Sequence, residues 1–363
     1  MTKKKILHVS YSMDTGGGPL TIKRLVEDFP EYDHHVAGNE GVFLQHFRKI
    51  LMPEKVMRLK GPNLVLNLKL ILEYCRKNGI DILHVHGRGA GSFARFVKVF
   101  RRNTKVVYTP NGFFPRSLPF VIRQGYVRGE QILLRLTDIV FLVSDSECKT
   151  FRHYVSDKQS NKYVVVQNYL NPASGNYEVI KSYPLSKDSI NFLYIGRLCA
   201  QKGTDILIEA LKQVTVPNVK AHIVGYGEEE AYVRKELESP ELKDKAVFLG
   251  KINEAFRLMP NFDALLLPSR FEGLPFTILE AMLYKLPLIV TPANGIIDIL
   301  NKHNSYMADD ISPQEFADAI HAFASDWNTD RARITRMTEE NHRLLMSTYS
   351  YDAVKGKIEY IYQ

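Results

Sequence analysis

The sequence predicts an α/β protein of two doubly wound, Rossmann-like domains whose parallel sheets face a central cleft. Length is the first reason: 363 residues exceed what a single core usually supports. Alternation is the second, because strand-like and helical runs exchange along the whole chain, as in parallel sheets covered by helices. The third is a restart. A polar stretch from Asn171-Pro-Ala-Ser-Gly-Asn176 to Asp188 separates two such series and reads as a linker. Residues 1–180 and 186–347 are therefore read as the two domains. Doubly wound sheets place ligands beyond the carboxyl ends of their strands, so function is sought in the loops there.

In the first half the expected strands are Lys5–Val9, His34–Ala37, Ile82–Val85, Lys105–Thr109, Ile139–Val143 and Tyr163–Val166. The first leads through Asp14-Thr-Gly-Gly-Gly-Pro19 into a helix expected near Leu20. Gly16, Gly17 and Gly18 let the backbone pass close to a phosphate or an acceptor, although a merely tight turn would use glycine too. The third strand runs into His84-Val-His86-Gly87, where alternation puts both histidines on one side. A metal would need further ligands, none is near in the sequence, and no metal is expected. A satisfied structural histidine is the plain alternative for His86. After the fourth strand, Tyr108-Thr-Pro-Asn-Gly-Phe113 presents Asn111, which can donate and accept hydrogen bonds but cannot act as a base near neutral pH. From Phe113 to Leu136 apolar residues mix with Arg116, Arg123, Arg128 and Arg135. That mixture suits an anionic membrane surface or an ordinary helix packed on the sheet.

In the second half the expected strands are Ile190–Ile195, Lys220–Val224, Ala246–Phe248, Ala264–Leu267 and Leu288–Val290. Gly196-Arg-Leu-Cys-Ala-Gln-Lys-Gly203 follows the first of them and precedes a helical run over Thr204–Val214. Glycine allows close approach, while Arg197 and Lys202 bring two cations to one loop. Negative charge developing on a departing diphosphate would be met there. Val224-Gly-Tyr-Gly-Glu228, with Gly225 and Tyr226, lacks the third glycine of a dinucleotide fingerprint and reads as a strand-to-helix turn.

The most informative stretch is Ser269-Arg-Phe-Glu-Gly-Leu-Pro-Phe-Thr-Ile-Leu-Glu-Ala-Met282. Pro275 suits a first helical turn, where its missing N–H costs nothing. The amides of Gly273, Leu274, Phe276 and Thr277 then surround an anion-sized space at a helix N-terminus. Glu272 lies in the loop before the helix, and Glu280 lies about 7.5 Å along it. Two carboxylates flanking a phosphate-sized site suit sugar or ribose hydroxyls. A dipole-serving role explains Glu272 but not Glu280, which is too deep in the helix.

These motifs resemble the retaining glycosyltransferases of family 4, which have the GT-B architecture. The likeness lies in a Glu-x7-Glu element preceded by Gly-Arg-Leu-x-x-x-Lys-Gly, and it extends over nearly the whole chain. It implies that Arg197 and Lys202 contact the donor diphosphate, Glu272 binds the transferred sugar and Glu280 holds the ribose, and that the loop with Gly225 and Tyr226 lies beside the nucleotide base, with Lys251 a further candidate for contact with it. It also implies that residues 348–363, including the helical run Tyr351–Tyr362, cross back onto the first domain. The family's usual Thr-x-His-Gly becomes Thr-Pro-Asn-Gly here, so Asn111 stands where a histidine serves acceptor or donor-sugar chemistry. His86 matches a His-x-His of the family and is the better placed of the pair. Gln167-Asn168-Tyr169 departs from the common Asn-Gly, and Asn294-Gly-Ile-Ile-Asp298 matches a Gly-Gly-x-Pro-Glu loop only loosely.

Composition bounds the rest. Hydrophobic residues make up 45% and charged residues 24% of the chain, as in ordinary globular domains. Cys75, Cys148 and Cys199 are widely spaced and indicate neither disulfides nor zinc. Lys3-Lys4-Lys5 is followed by too short an apolar run for a signal peptide, and no window is long and apolar enough to span a bilayer. A cytoplasmic protein, peripheral on the inner face of the membrane if bound there, is expected. Residues 1–185 carry a net +13 and residues 186–363 a net −5, within a total of +8. The basic half suits an anionic membrane surface, a phosphorylated acceptor or solvated lysines. No nucleic-acid reader motif accompanies it, and none is expected as a partner.

The reading is a metal-independent retaining transferase using a nucleotide-sugar, with a UDP-sugar as the expected donor. A saccharide or polyprenyl-linked saccharide is the expected acceptor, in bacterial surface polysaccharide assembly. A nucleotide-sugar epimerase of the same fold, or a nucleotide-sugar-binding protein impaired in catalysis, stand as alternatives.

Overall fold

The computed structural model describes residues 3–14, 16–174, 177–180 and 183–363. The chain divides into two compact units, residues 1–168 with 354–363, and residues 169–353.

The first unit holds seven strands: β1 (Lys5–Ser10), β2 (Asp33–Gly38), β3 (Val56–Arg58), β4 (Ile82–His86), β5 (Lys105–Thr109), β6 (Ile139–Leu142) and β7 (Tyr163–Val165). Their order is β3-β2-β1-β4-β5-β6-β7, and every pairing is parallel. The order reverses between β1 and β4, the crevice position that such sheets use for ligands. One face is apolar: Leu7, Val9, Leu83, Val85 and Val106 pack with Ile71, Cys75 and Val97 of the covering helices and with Phe93 of the turn between two of them. The other face carries a row of histidines. Period-two alternation puts His8, His34, His84 and His86 on that side, and register sets His8 beside His84 and Ser10 beside His86. The helix Tyr351–Tyr362 covers the row, with the Tyr362 hydroxyl 2.8 Å from His84 Nδ1.

The second unit holds β8 (Ile190–Arg197), β9 (Val219–Tyr226), β10 (Ala246–Gly250), β11 (Ala264–Leu267), β12 (Leu288–Val290) and β13 (Tyr306–Met307). Their order is β10-β9-β8-β11-β12-β13, again all parallel. Here the reversal falls between β8 and β11, so the loops after these two strands meet at the crevice position. Phe192, Leu207, Leu211, Ile223, Leu266, Ile289, Phe316 and Phe323 form the core. The helix Pro313–Thr329 starts where Ser312 Oγ accepts from the Glu315 amide and proline occupies the first helical positions, as a helix start should.

All eleven expected strands are present, and β3 and β13 are additional. The boundary differs from the expected one. It falls between Asn168 and Tyr169 rather than near residues 180–186. The Leu170 amide donates to the Tyr349 carbonyl at 2.9 Å, and the Tyr351 amide donates to Leu170 at 2.8 Å. The outgoing and returning chains are thus tied together there, and the Ile180 amide is fastened to the Arg257 carbonyl at 3.1 Å. Residues 175–176 and 181–182 of the expected linker lie outside the described residues.

Candidate functional site

In the second unit the loop after β8 makes a 3-10 turn over Ala200–Lys202 and enters the helix Thr204–Gln213. Gly203, at the junction, has φ +66°, and a Cβ there would meet the Pro268 carbonyl oxygen at 1.9 Å. Only glycine lets the loop after β8 lie against the loop after β11. Gly225 plays the same part toward Gly196, whose carbonyl oxygen would lie 1.9 Å from an added Cβ.

That close approach delivers Lys202 to the loop after β11. Its Nζ lies 2.7 Å from Glu272 Oε1. Ser269 Oγ donates to the same oxygen at 2.6 Å, and the Glu272 amide donates to the Asn294 carbonyl at 3.0 Å. Glu272 and Glu280 are each only 5% exposed. A carboxylate so enclosed needs both partners, because an unpaired buried charge is costly. Gly295, with φ +79°, brings its backbone against Glu272 and Gly273. Arg270 makes a two-pronged pair with Asp205, both contacts at 2.6 Å, fastening this loop to the start of the Thr204–Gln213 helix.

Arg197 does not join that cluster. It is 59% exposed and pairs with Glu228 at 3.0 Å, across the loop after β9. Lys251 Nζ sits 4.5 Å from the Tyr226 ring centroid, which joins the two candidates for base contact by a cation–π interaction. Pro275 precedes the helix Phe276–Leu283 as its N-cap, with extended backbone at φ −73° and ψ 127°. The expectation that it sits inside the first turn is therefore corrected by one residue. Gly273, Leu274, Phe276 and Thr277 surround the helix start as expected, and Glu280 lies in the second turn. Burial first and the Glu280 charge second push the Tyr284 hydroxyl up to about 12.

In the first unit the helix after β1 is Gly17–Asp28, preceded by Gly16 at φ +109°, and it begins three residues before the expected Leu20. Thr15 lies outside the described residues. The space over Gly16 and Gly17 is open to 4 Å. A Cβ on Gly18 would meet Asn111 Nδ2 at 3.4 Å, Ser10 Oγ at 3.7 Å and His86 Cβ at 3.8 Å. These four residues therefore converge on one point at the reversal of the sheet. Asn111 holds a left-handed backbone with φ +56°. Its Nδ2 donates to the Thr109 carbonyl at 3.3 Å, and Thr21 Oγ1 donates to its Oδ1 at 3.4 Å. The following amides, Gly112 and Phe113, both donate to Glu147 Oε1, at 2.7 and 3.0 Å. Glu147 Oε2 accepts from the Val143 amide at 2.8 Å. Burial raises this carboxyl even so.

The histidines are more numerous than the sequence suggested. His86 and His84 do share a side, with ring centroids 4.0 Å apart. The expectation that no further ligand lies near is corrected, because β1 and β2 bring His8 and His34 to the same face. His8, His84 and His86 each offer a nitrogen within 4.8 Å of the others'. His84 already spends both nitrogens, on Tyr362 and on Thr109 Oγ1, each at 2.8 Å. His8 spends both as well, on His86 at 3.2 Å and His34 at 3.0 Å. Burial holds all four well below the usual imidazole value, His34 at about 4 and His86 at about 3.

The Phe113–Leu136 segment contains the helix Phe120–Leu133. Val127 and Leu133 are buried, and Glu130 pairs with the fully buried Arg95 at 2.9 Å, so the later turns pack on the sheet. Phe120, Val121 and Ile122 instead stand 65%, 79% and 59% exposed. Among the described residues no helix is long and apolar enough to cross a membrane.

Ser269, Glu147, His8 and His34 were missed by motif reading. Ser144-Asp-Ser-Glu147 is a capping-box spacing, with Ser144 Oγ accepting from the Glu147 amide at 3.1 Å. That signal could have drawn attention to Glu147.

Residues 177–341 match the family described as Glycosyl transferases group 1, and residues 21–173 match Glycosyltransferase Family 4. An uncharacterized 41.2 kDa protein from the cps region of Klebsiella pneumoniae is 26% identical over 313 residues, 82% of this chain and 83% of that one. The O-antigen biosynthesis glycosyltransferase WbnH of Escherichia coli is 25% identical over 237 residues, 65% of each chain. Among solved structures, Anabaena HepE in complex with UDP and glucose aligns with TM-score 0.82 and 17% identity over 98% of both chains. A glycosyltransferase from Rickettsia africae aligns with TM-score 0.80 and 18% identity, covering 99% of this chain and 98% of that one. The two family matches, which between them run from residue 21 to residue 341, and the two parallel-sheet units make this chain a glycosyltransferase of GT-B fold.

Proposed function

We propose that the protein moves a sugar, with retention of configuration, from a nucleotide-sugar to a saccharide or lipid-linked saccharide. A UDP-sugar is the donor and surface polysaccharide assembly the setting. The observation that carries this reading is Lys202 held 2.7 Å from Glu272 at the reversal of the second sheet, beside the helix that bears Glu280. An ammonium next to a helix start suits a diphosphate, since both favour negative charge. Arg197, exposed in a single ion pair, can exchange Glu228 for phosphate at little cost. Glu272 would then accept from hydroxyls of the transferred sugar and Glu280 from the ribose. With two cations and main-chain amides to neutralise the leaving group, the reaction is proposed to run without a metal. UDP and glucose are bound in the HepE complex, and WbnH is named for O-antigen biosynthesis; both favour this donor class and this setting.

Asn111 supports a second reading. An asparagine cannot take a proton near neutral pH, which favours a nucleotide-sugar-binding protein impaired in transfer unless the departing phosphate accepts the acceptor's proton. An epimerase would turn over donor with no acceptor present. A panel of nucleotide-sugars, scored by thermal stabilisation, slow hydrolysis and the anomeric configuration of the product, separates the three. Stabilisation by UDP-sugars with a retained anomer supports the transferase. No stabilisation by any nucleotide would end the reading.

A further inference from the structure

The histidine row has a direction. His34 Nε2 lies 2.8 Å from the Phe29 carbonyl oxygen, which can only accept, so this nitrogen carries the proton. Burial keeps His34 neutral, and its Nδ1 is therefore bare. His8 Nε2, 3.0 Å from that Nδ1, must donate to it. His8 is also neutral, so its own Nδ1 is bare and accepts from His86 Nε2 at 3.2 Å. His86 is neutral in turn, which leaves its Nδ1 without a proton. That atom is buried and has no hydrogen-bond partner. One carbonyl oxygen on the far side of β2 thus sets the tautomer of a ring at the carboxyl end of β4 through three successive hydrogen bonds. The Cβ of the same residue, His86, is one of the atoms that, with Ser10 Oγ and Asn111 Nδ2, crowd the position of a Cβ on Gly18.

We infer that His8 and His34 are positioning residues that lock His86 as the Nε2-protonated tautomer, so that its bare Nδ1 accepts a hydrogen bond from a hydroxyl of the sugar acceptor. The identity of that hydroxyl rests on the transferase reading; the tautomer does not. The inference also gives the neighbouring Asn111 a partner with the basic nitrogen that it lacks itself. A buried acceptor with no donor is costly, and a hydroxyl group relieves that cost.

The full-length protein labelled with 15N-histidine tests this at pH 7.5. His86 is expected to show a pyridine-type Nδ1 and a pyrrole-type Nε2. His34→Phe removes the acceptor for His8 and should reverse or mix the His86 assignment, although residue 34 lies on another strand. In His34→Asn the amide oxygen takes the place of the imidazole Nδ1, and the original assignment should return. In hydrolysis of UDP-glucose, where water supplies the hydroxyl, His34→Phe should lower kcat about tenfold with unchanged KM, and His34→Asn should recover it. A protonated Nδ1 on His86 in the unmodified protein overturns the inference even if His34→Phe fails to fold. So does a His86 assignment that does not move in a folded His34→Phe. Failure of UDP to stabilise the protein sinks the transferase reading instead and leaves the tautomer measurement standing.

Discussion

The two sheets reverse their strand order in the same way and present opposite chemistry at the reversal. In the first unit the polar groups are borne on strands, fully enclosed and neutral: His8, His84 and His86 are at most 1% exposed. In the second they are borne at the end of β8 and on loops beyond the strands, and they are held in ion pairs, Lys202 with Glu272 and Arg197 with Glu228. The distribution of net charge runs the other way, with the basic half of the chain holding the uncharged site. Depth of burial and local pairing decide the chemistry of a site, and the charge of its domain does not. A neutral, hydrogen-bonding cluster suits hydroxyls, and paired charges that can exchange partners suit a diphosphate.

Removing the charge from the second unit should break this comparison most severely. Lys202→Ala is expected to lower turnover of a UDP-sugar at saturating donor by about 10²- to 10³-fold, while leaving Glu272 short of a partner. Unchanged turnover would remove Lys202 from the site. Acid attacks the first unit in the opposite sense. His34 and His86 are depressed to about 4 and about 3 in the folded chain, and His8, His84 and His35 are lowered too. The unfolded chain therefore binds more protons below pH 6.5, and stability falls as pH drops from there toward the folded values. At pH 5 the loss is about 2 kcal/mol for each fully neutral histidine, read as a lower urea midpoint than at pH 7. A midpoint independent of pH across this window would contradict the neutral row.

Glu280→Gln sharpens the contrast by about tenfold, expected in UDP affinity by calorimetry with little change in maximal rate. Asn111→His asks whether a base can be returned to the first unit. Its left-handed backbone, φ +56°, makes the substitution cost about 1 kcal/mol of stability. A gain in transfer rate would mark Asn111 as a tuning residue, and a loss would mark it as necessary. The smallest effect concerns the surface. Val121→Asp, in the exposed Phe120–Ile122 turn, should reduce sedimentation with anionic vesicles at low salt by a few fold. Equal sedimentation of variant and parent would remove that turn from any membrane contact.

Much of this was legible because the signals are local. The apolar runs that became β1, β4, β8 and β11 identify themselves by length and composition, and both halves of the second site lie in motifs that directly follow strands. β3 (Val-Met-Arg) and β13 (Tyr-Met) lie among polar neighbours and lack the apolar run that announces the other strands. The boundary was expected at the polar stretch Asn171–Asp188 because composition there signals a linker, whereas the second unit already begins at Tyr169 and Leu170, just before that stretch, is paired with the returning chain. Ser269 lay in full view within the motif, but nothing in its spacing distinguishes a hydroxyl that binds Glu272 from one facing water.

By itself the sequence determined two parallel-sheet units, the strand end, loops and helix start that hold Arg197, Lys202, Glu272 and Glu280, and the substitution of asparagine at position 111. All of these depend on residues near one another in the chain. Only the tertiary structure decided that Lys202 rather than Arg197 meets Glu272, because a glycine-mediated approach of two loops some 70 residues apart selects the partner. It alone decided that four histidines from three strands form one row, since register between strands, and not sequence spacing, sets which side chains touch.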